Sequence, residues 1–227
     1  MWMPFLYGPS FFILLPAILL GAYAQWKVQS TYGRYARVTT LRRTSAQQAA
    51  ERVLADERIH GVSIELSRRG RLSDHYDPRN KALRLSSPSS ISLADVGVAA
   101  HEAGHAIQHA RGYAPLSLRS VMVPVANFGS GLAMPLFILG LFAQLPALMT
   151  AGIIAFSAAV FFTLVTLPVE LDASRRAVAA LRATGMLTEE ELGGVKDVLF
   201  AAALTYVAAA AMAALQLLML LSVSRRR

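Results

Sequence analysis

Four long runs of residues without a single charge constrain this chain more than any other feature. They cover residues 5–24, 121–142, 145–169 and 198–223. An α-helix rises about 1.5 Å per residue, so about twenty apolar residues are enough to cross a hydrocarbon layer about 30 Å thick. The rest of the composition agrees: of 227 residues, 55% are hydrophobic and 16% charged, against about 25% charged in an average soluble domain. A water-soluble globule is a poor reading. The expectation is a mainly α membrane protein with about four transmembrane helices, the second and third joined across Ala143 and Gln144, with Pro146 just beyond, as a helical hairpin.

The first run has a rival reading, because Ala22-Tyr23-Ala24 after an apolar stretch looks like a signal-peptidase site. An uncleaved anchor is preferred. No Lys or Arg precedes the run, whereas Lys27, Arg34, Arg37, Arg42 and Arg43 follow it, the reverse of a signal peptide's charge order. The net charge of +8 follows the same boundaries: most of the 22 Lys and Arg lie in residues 27–120 and 171–196. With the first helix running outward to inward, both segments are cytoplasmic, as the positive-inside rule asks. Arg225, Arg226 and Arg227 then lie outside if the last helix fully spans, against that rule. The chain thus divides into an N-terminal anchor (1–26), an α/β domain (27–120), a transmembrane hairpin (121–169), a cytoplasmic segment (170–196) and a C-terminal apolar helix with a basic tail (197–227). Nucleic-acid binding is a poor explanation of the charge, since no recognition motif accompanies it.

Within 27–120 the pattern is mixed. Ser45 before AQQAAERVLADE predicts a capped helix with Ala46, Ala49, Ala50, Val53 and Leu54 on one face. Residues 62–66 and 82–85 alternate as strands, and the Gly70, Ser73, Asp74, Asp77, Pro78 and Asn80 cluster between them reads as loop. Ser92, with Asp95 three residues on, starts a helix that runs to about Arg111 and stops at Gly112. That helix carries His101-Glu102-Ala103-Gly104-His105, an HExxH motif, which makes the domain zincin-like. Histidines four apart lie on one helical face about 6 Å apart along the axis, so both can reach one Zn²⁺. Glu102 is then beside the metal's water and serves as general base for attack on a peptide carbonyl.

The chain has no cysteine. Any metal must therefore be held by His and carboxylate. The five histidines are His60, His75, His101, His105 and His109. His109 extends the series, but on a continuous helix it lies about 12 Å from His101, too far to share the ion. It reads as a surface residue or an outer partner. Glu170, at the end of the third apolar run, is the best candidate for the third ligand, with Asp172 as runner-up ligand or as the partner that orients a metal-bound histidine. The motif helix precedes the hairpin and Glu170 follows it, so both lie on one membrane face. His75 or Tyr76 could stabilise an oxyanion, or the segment is a simple Asp/Pro turn. Thr205 and Tyr206, in the last apolar run, suit helix contacts more than catalysis.

On the stretches AYAQWKV (22–28), LSDHYDP (72–78), VAAHEAGHAIQHA (98–110), PVAN (124–127), TLPVELDASRRA (166–177) and AALTYVAAA (202–210), the chain resembles the YugP-type neutral zinc metallopeptidases of bacterial membranes over nearly its whole length. The resemblance implies an integral zinc endopeptidase of the inner membrane, with His101, His105 and Glu170 as ligands of Zn²⁺ and Glu102 as base. It is more distantly similar to the HtpX-type membrane proteases, in which the third ligand opens a Glu-x-x-x-Asp pattern. Here Ser174 stands in place of that Asp.

The expected function is hydrolysis of peptide bonds in membrane or membrane-proximal proteins, at a site on the cytoplasmic face of a multi-pass protein. The expected partners are a protein or peptide substrate and the lipid bilayer, without nucleic acid. The alternative is a non-catalytic membrane scaffold with a structural metal. An intact base and a three-ligand His/Glu set argue against it, because structural zinc sites are closed by four protein ligands.

Overall fold

The computed structural model describes residues 12–68, 70 and 73–225. The described chain is mainly helical: α1 (Leu15–Tyr35), α2 (Ala46–Asp56), α3 (Leu93–Ala110), α4 (Ala114–Ala143), α5 (Pro146–Thr184) and α6 (Glu189–Arg225). A small sheet is made of β1 (Ser63–Leu66), β2 (His75–Asp77) and β3 (Ala82–Leu85). These elements form two compact units. One comprises Trp26–Leu116 and Val169–Ala203; the other comprises Ser117–Pro168, Leu204–Arg227 and the chain up to Gln25.

The first unit is organised by its helix caps. Ser45 accepts from the Gln48 backbone N–H, and the Gln48 side chain accepts from the Ser45 N–H, a reciprocal box that satisfies two otherwise unpaired donors of α2. Ser92 caps α3 by accepting from the Asp95 N–H, while Asp95 lies in the first turn, where a negative charge suits the helix dipole. The Asp95 carboxylate also accepts from the hydroxyls of Tyr32, Ser90 and Ser92. Thr188 and Glu191 exchange bonds across the first turn of α6, and the other Glu191 oxygen accepts from the Leu41 N–H.

Small residues set how closely α3 can be approached. Ala99, Ala100, Ala103 and Ala106 are buried along it, in one core with Val53, Leu83, Leu85, Leu181, Leu192 and Val195. In the sheet β3 is central, parallel to β1 and antiparallel to β2, with Tyr76 opposite Leu83 and His75 opposite Arg84. Leu83 and Leu85 fill the core on one face. On β3's other face Arg84 bonds Glu65 of β1 and Asp77 of β2. β2 falls inside the stretch that the sequence reads as loop. Three residues are too few for alternation to register, and the strand forms because β3 offers a free edge. Asp74 secures its start by accepting from both the N–H and the hydroxyl of Ser86.

In the second unit α4 and α5 approach at glycines. A Cβ on Gly140 would come within 2.6 Å of the Met149 backbone nitrogen, and one on Gly152 within 2.6 Å of the Ala133 carbonyl oxygen. Such contacts between small residues are how apolar helices pack where burial from water gives no drive. Phe137, Leu141, Met149 and Leu220 form the local core. Other large apolar side chains are exposed, among them Phe128 at 72% and Ile154 at 66%. Exposure on that scale suits a lipid solvent rather than water.

Among the described residues three helices are long and apolar enough to cross a membrane: Ala114–Ala143, Pro146–Thr184 and Glu189–Arg225. Three replaces the expected four. Residues 5–11 of the first run lie outside the described residues. The described part of α1 is apolar only to Ala24 before Gln25, Lys27 and Arg34 make it polar. Arg226 and Arg227 of the basic tail also lie outside the described residues. The residues between the third and fourth runs are mostly helix: α5 continues to Thr184 and α6 begins at Glu189.

Candidate metal centre

Glu170 is buried to 2% exposure on α5, and the close approach of α5 to α3 puts it against the HExxH pair. A Cβ built on Gly104 would overlap the Ala173 carbonyl oxygen, so only glycine permits this helix spacing. His101 Nε2 lies 3.2 Å and His105 Nε2 3.6 Å from Glu170 Oε2, and the two imidazoles meet edge to face with ring centroids 4.8 Å apart. Donors held about 2.0–2.2 Å from one tetrahedral ion lie roughly 3.4 Å from each other. The observed separations match that spacing. All three donor atoms lie within 4.8 Å of one another, so the group could hold a metal ion. The three residues that the sequence nominates as ligands are thus brought together.

Each imidazole also has its second nitrogen engaged. His101 Nδ1 is 3.1 Å from Ser174 Oγ, and His105 Nδ1 is 3.0 Å from Gln108 Oε1. Outer partners of this kind fix ring orientation and tune donor strength. Ser174 therefore occupies the place where the related pattern has Asp. Asp172 does not join the ligand group; its Oδ2 accepts from Gln108 Nε2 at 2.8 Å and from Arg176 Nε at 2.6 Å. Its influence on His105 passes through the glutamine amide. Sequence reasoning missed Gln108, whose one signal is a position three residues after His105 on the same helical face.

Glu102 is buried beside the histidines, and its Oε2 accepts from the backbone N–H of Tyr76 at 2.8 Å. That bond comes from the edge of β2, which explains why the sequence did not reveal it: backbone donors leave no residue-type signature. The Tyr76 hydroxyl and His109 Nδ1 are hydrogen-bonded at 2.8 Å. His109 therefore partners Tyr76 of β2 and stands outside the ligand group. His75 Nδ1 is 2.8 Å from the Ser73 carbonyl oxygen and holds the turn. Thr205 and Tyr206 lie in α6, in the other unit.

Electrostatics follow from this packing. Burial works to lower the His105 pKa, but the Glu170 hydrogen bond and the charges of Glu102 and Glu170 outweigh it and leave the imidazole's pKa raised. Burial, then the Asp77 charge, raises the Tyr76 phenol and keeps it neutral. The hydrogen bond from Arg84, then that from Asn80, holds Asp77 well below the usual carboxylate range.

Two histidines one turn apart on a helix, closed by a buried carboxylate, in a chain with three helices among the described residues long and apolar enough to span a bilayer, are the arrangement expected of a membrane metallopeptidase. Residues 10–225 match the family described as "Putative neutral zinc metallopeptidase", and the chain belongs to that family. It is 43% identical over 209 residues to "Putative membrane protease YugP" of Bacillus subtilis (strain 168), covering 91% of this chain and 92% of that relative. No solved structure matches it. Family membership assigns zinc as the cofactor and a protease role.

Proposed function

We propose that the protein is an integral membrane zinc endopeptidase of the HExxH gluzincin type, its zincin-like site cleaving membrane or membrane-proximal proteins. The observation that carries this reading is the convergence of His101, His105 and Glu170 donor atoms beside a pinned Glu102. Zinc held by His101, His105 and Glu170 would supply Lewis acidity for the scissile carbonyl and for the attacking water. Glu102, its Oε2 fixed by the Tyr76 N–H, accepts the proton of the attacking water and returns it to the leaving amine nitrogen as the C–N bond breaks. His101 and His105 are presented by a rigid helix, and Ser174 and Gln108 hold their rings in place. Three protein donors among the described residues, where a structural zinc site uses four, favour catalysis over a scaffold role.

The charge distribution supports a multi-pass protein of the inner membrane with the site on the cytoplasmic side, where most Lys and Arg of the segments flanking the apolar runs would lie. Substrates are then proteins of that membrane or segments presented beside it. The test is Glu102→Gln in the purified full-length protein. It retains zinc and loses cleavage of an unfolded or membrane-inserted substrate by a factor of at least 100. Undiminished cleavage removes Glu102 from the role of base.

A further inference from the structure

Gln108 is fully buried one turn beyond His105, and every polar atom of its amide is engaged. Its Nε2 donates to the Val169 carbonyl oxygen at 2.8 Å and to Asp172 Oδ2 at 2.8 Å. A backbone carbonyl can only accept, and the Asp172 carboxylate, paired with Arg176, does the same. Both amide hydrogens are therefore committed, and the neighbours themselves dictate which end of the amide is which. The oxygen Oε1 is left against His105 Nδ1 at 3.0 Å. An amide oxygen carries no hydrogen, so Nδ1 must carry a proton, and Nε2 is the nitrogen left to bind at the metal position beside Glu170. His101 is different. Its Nδ1 partner is the Ser174 hydroxyl, which can donate or accept and so orients the ring without selecting a tautomer.

We propose that Gln108, clamped by Asp172 and the Val169 carbonyl, is the positioning residue that fixes the tautomer of His105 and through it sets the zinc affinity of the site. This rests on the reading of His101, His105 and Glu170 as ligands. An outer partner of a metal-bound histidine typically accounts for about 10–100-fold in metal affinity. Here a single neutral amide carries that role for one of two histidines, and its own orientation depends on a charged residue on a different helix.

The test uses the full-length protein in detergent, with zinc affinity from chelator competition and the visible absorption of the Co²⁺-loaded form as a readout of the ligand field. Gln108→Met weakens zinc binding about 10–100-fold and shifts the Co²⁺ bands. Asp172→Ala, which removes one of two clamps, gives a smaller loss and a shift in the same direction. If Gln108→Met cannot be isolated folded, Asp172→Ala decides the matter by the same readouts. Affinity within twofold of wild type together with unmoved Co²⁺ bands overturns the proposal. His105→Ala separates the two levels: if it also binds zinc like wild type, the ligand reading itself fails; if it loses zinc while the Gln108 and Asp172 variants do not, only the positioning role falls.

Discussion

Gly104→Ala is the most demanding perturbation of this site, because it changes no ligand. Elsewhere in a helix the exchange of Gly for Ala stabilises by roughly 0.5–1 kcal/mol, since Ala has less backbone freedom to lose. At Gly104 the new methyl would overlap the Ala173 carbonyl oxygen, with the Ala173 carbonyl carbon at 3.1 Å behind it. Backbone cannot swing aside as a side chain can, so α3 and α5 must separate by about 1 Å to restore ordinary van der Waals contact. Overpacking of this kind costs roughly 1–3 kcal/mol, which exceeds the propensity gain and makes the variant less stable. The same displacement moves Glu170 away from His101 and His105, now 3.2 and 3.6 Å distant. Metal–ligand distances tolerate only about 0.2 Å, so zinc affinity falls by roughly two orders of magnitude, the top of the range expected for loss of an outer partner. The assay is zinc competition plus a thermal melt of the full-length protein in detergent. Gly97→Ala on the same helix is the control: its methyl meets a Val195 methyl at 3.2 Å, a side chain able to yield. A Gly104→Ala protein with wild-type zinc affinity and an equal or higher Tm would refute the close-approach reasoning.

Ser174→Ala, which removes the His101 Nδ1 partner, lowers zinc affinity by about tenfold in chelator competition, whereas Ser174→Asp, which supplies a charged acceptor, raises it. Asp77 predicts a pH effect: its folded pKa lies below the usual carboxylate value, so its bonds to Arg84 and Asn80 contribute fully above the unfolded value of about 4. That contribution is lost as pH falls below about 4 toward the folded pKa. Tm measured from pH 6 to pH 3 therefore drops more steeply for wild type than for Asp77→Asn, which starts lower at pH 6; parallel curves would contradict this.

The parts of this protein that could be read from the sequence are those written in side-chain identity and spacing. Ser45 before its apolar-periodic run, and Ser92 with Asp95, mark helix starts that the structure reproduces, because capping is a local transaction between neighbours. The His101, His105 and Glu170 grouping was legible because His spacing of four is a helical face and topology returns the chain to the same side. What stayed hidden depends on partners distant in sequence. β2 exists because β3 offers it an edge, and its contribution to Glu102 is a backbone N–H that any residue type could supply. α5 continues past Val169 with polar residues that bond α3, Ser174 to His101 and Asp172 to Gln108, so the apolar run ends well before the helix does. Gln108 looks like an ordinary helix-surface residue until the Val169 carbonyl and Asp172 are placed beside it. The first apolar run reads as a fourth span by its length and lack of charge; part of it lies outside the described residues, and α1 is not among the three helices that qualify there.

The central claim is that zinc is held by two helix-borne histidines and a carboxylate from α5. Zinc content of the purified full-length protein, wild type against Glu170→Ala, tests it most directly. The account predicts stoichiometric zinc in the wild type and its loss from the variant after dialysis against a mild chelator. Full zinc occupancy in Glu170→Ala under the same dialysis would contradict it and move the third ligand elsewhere.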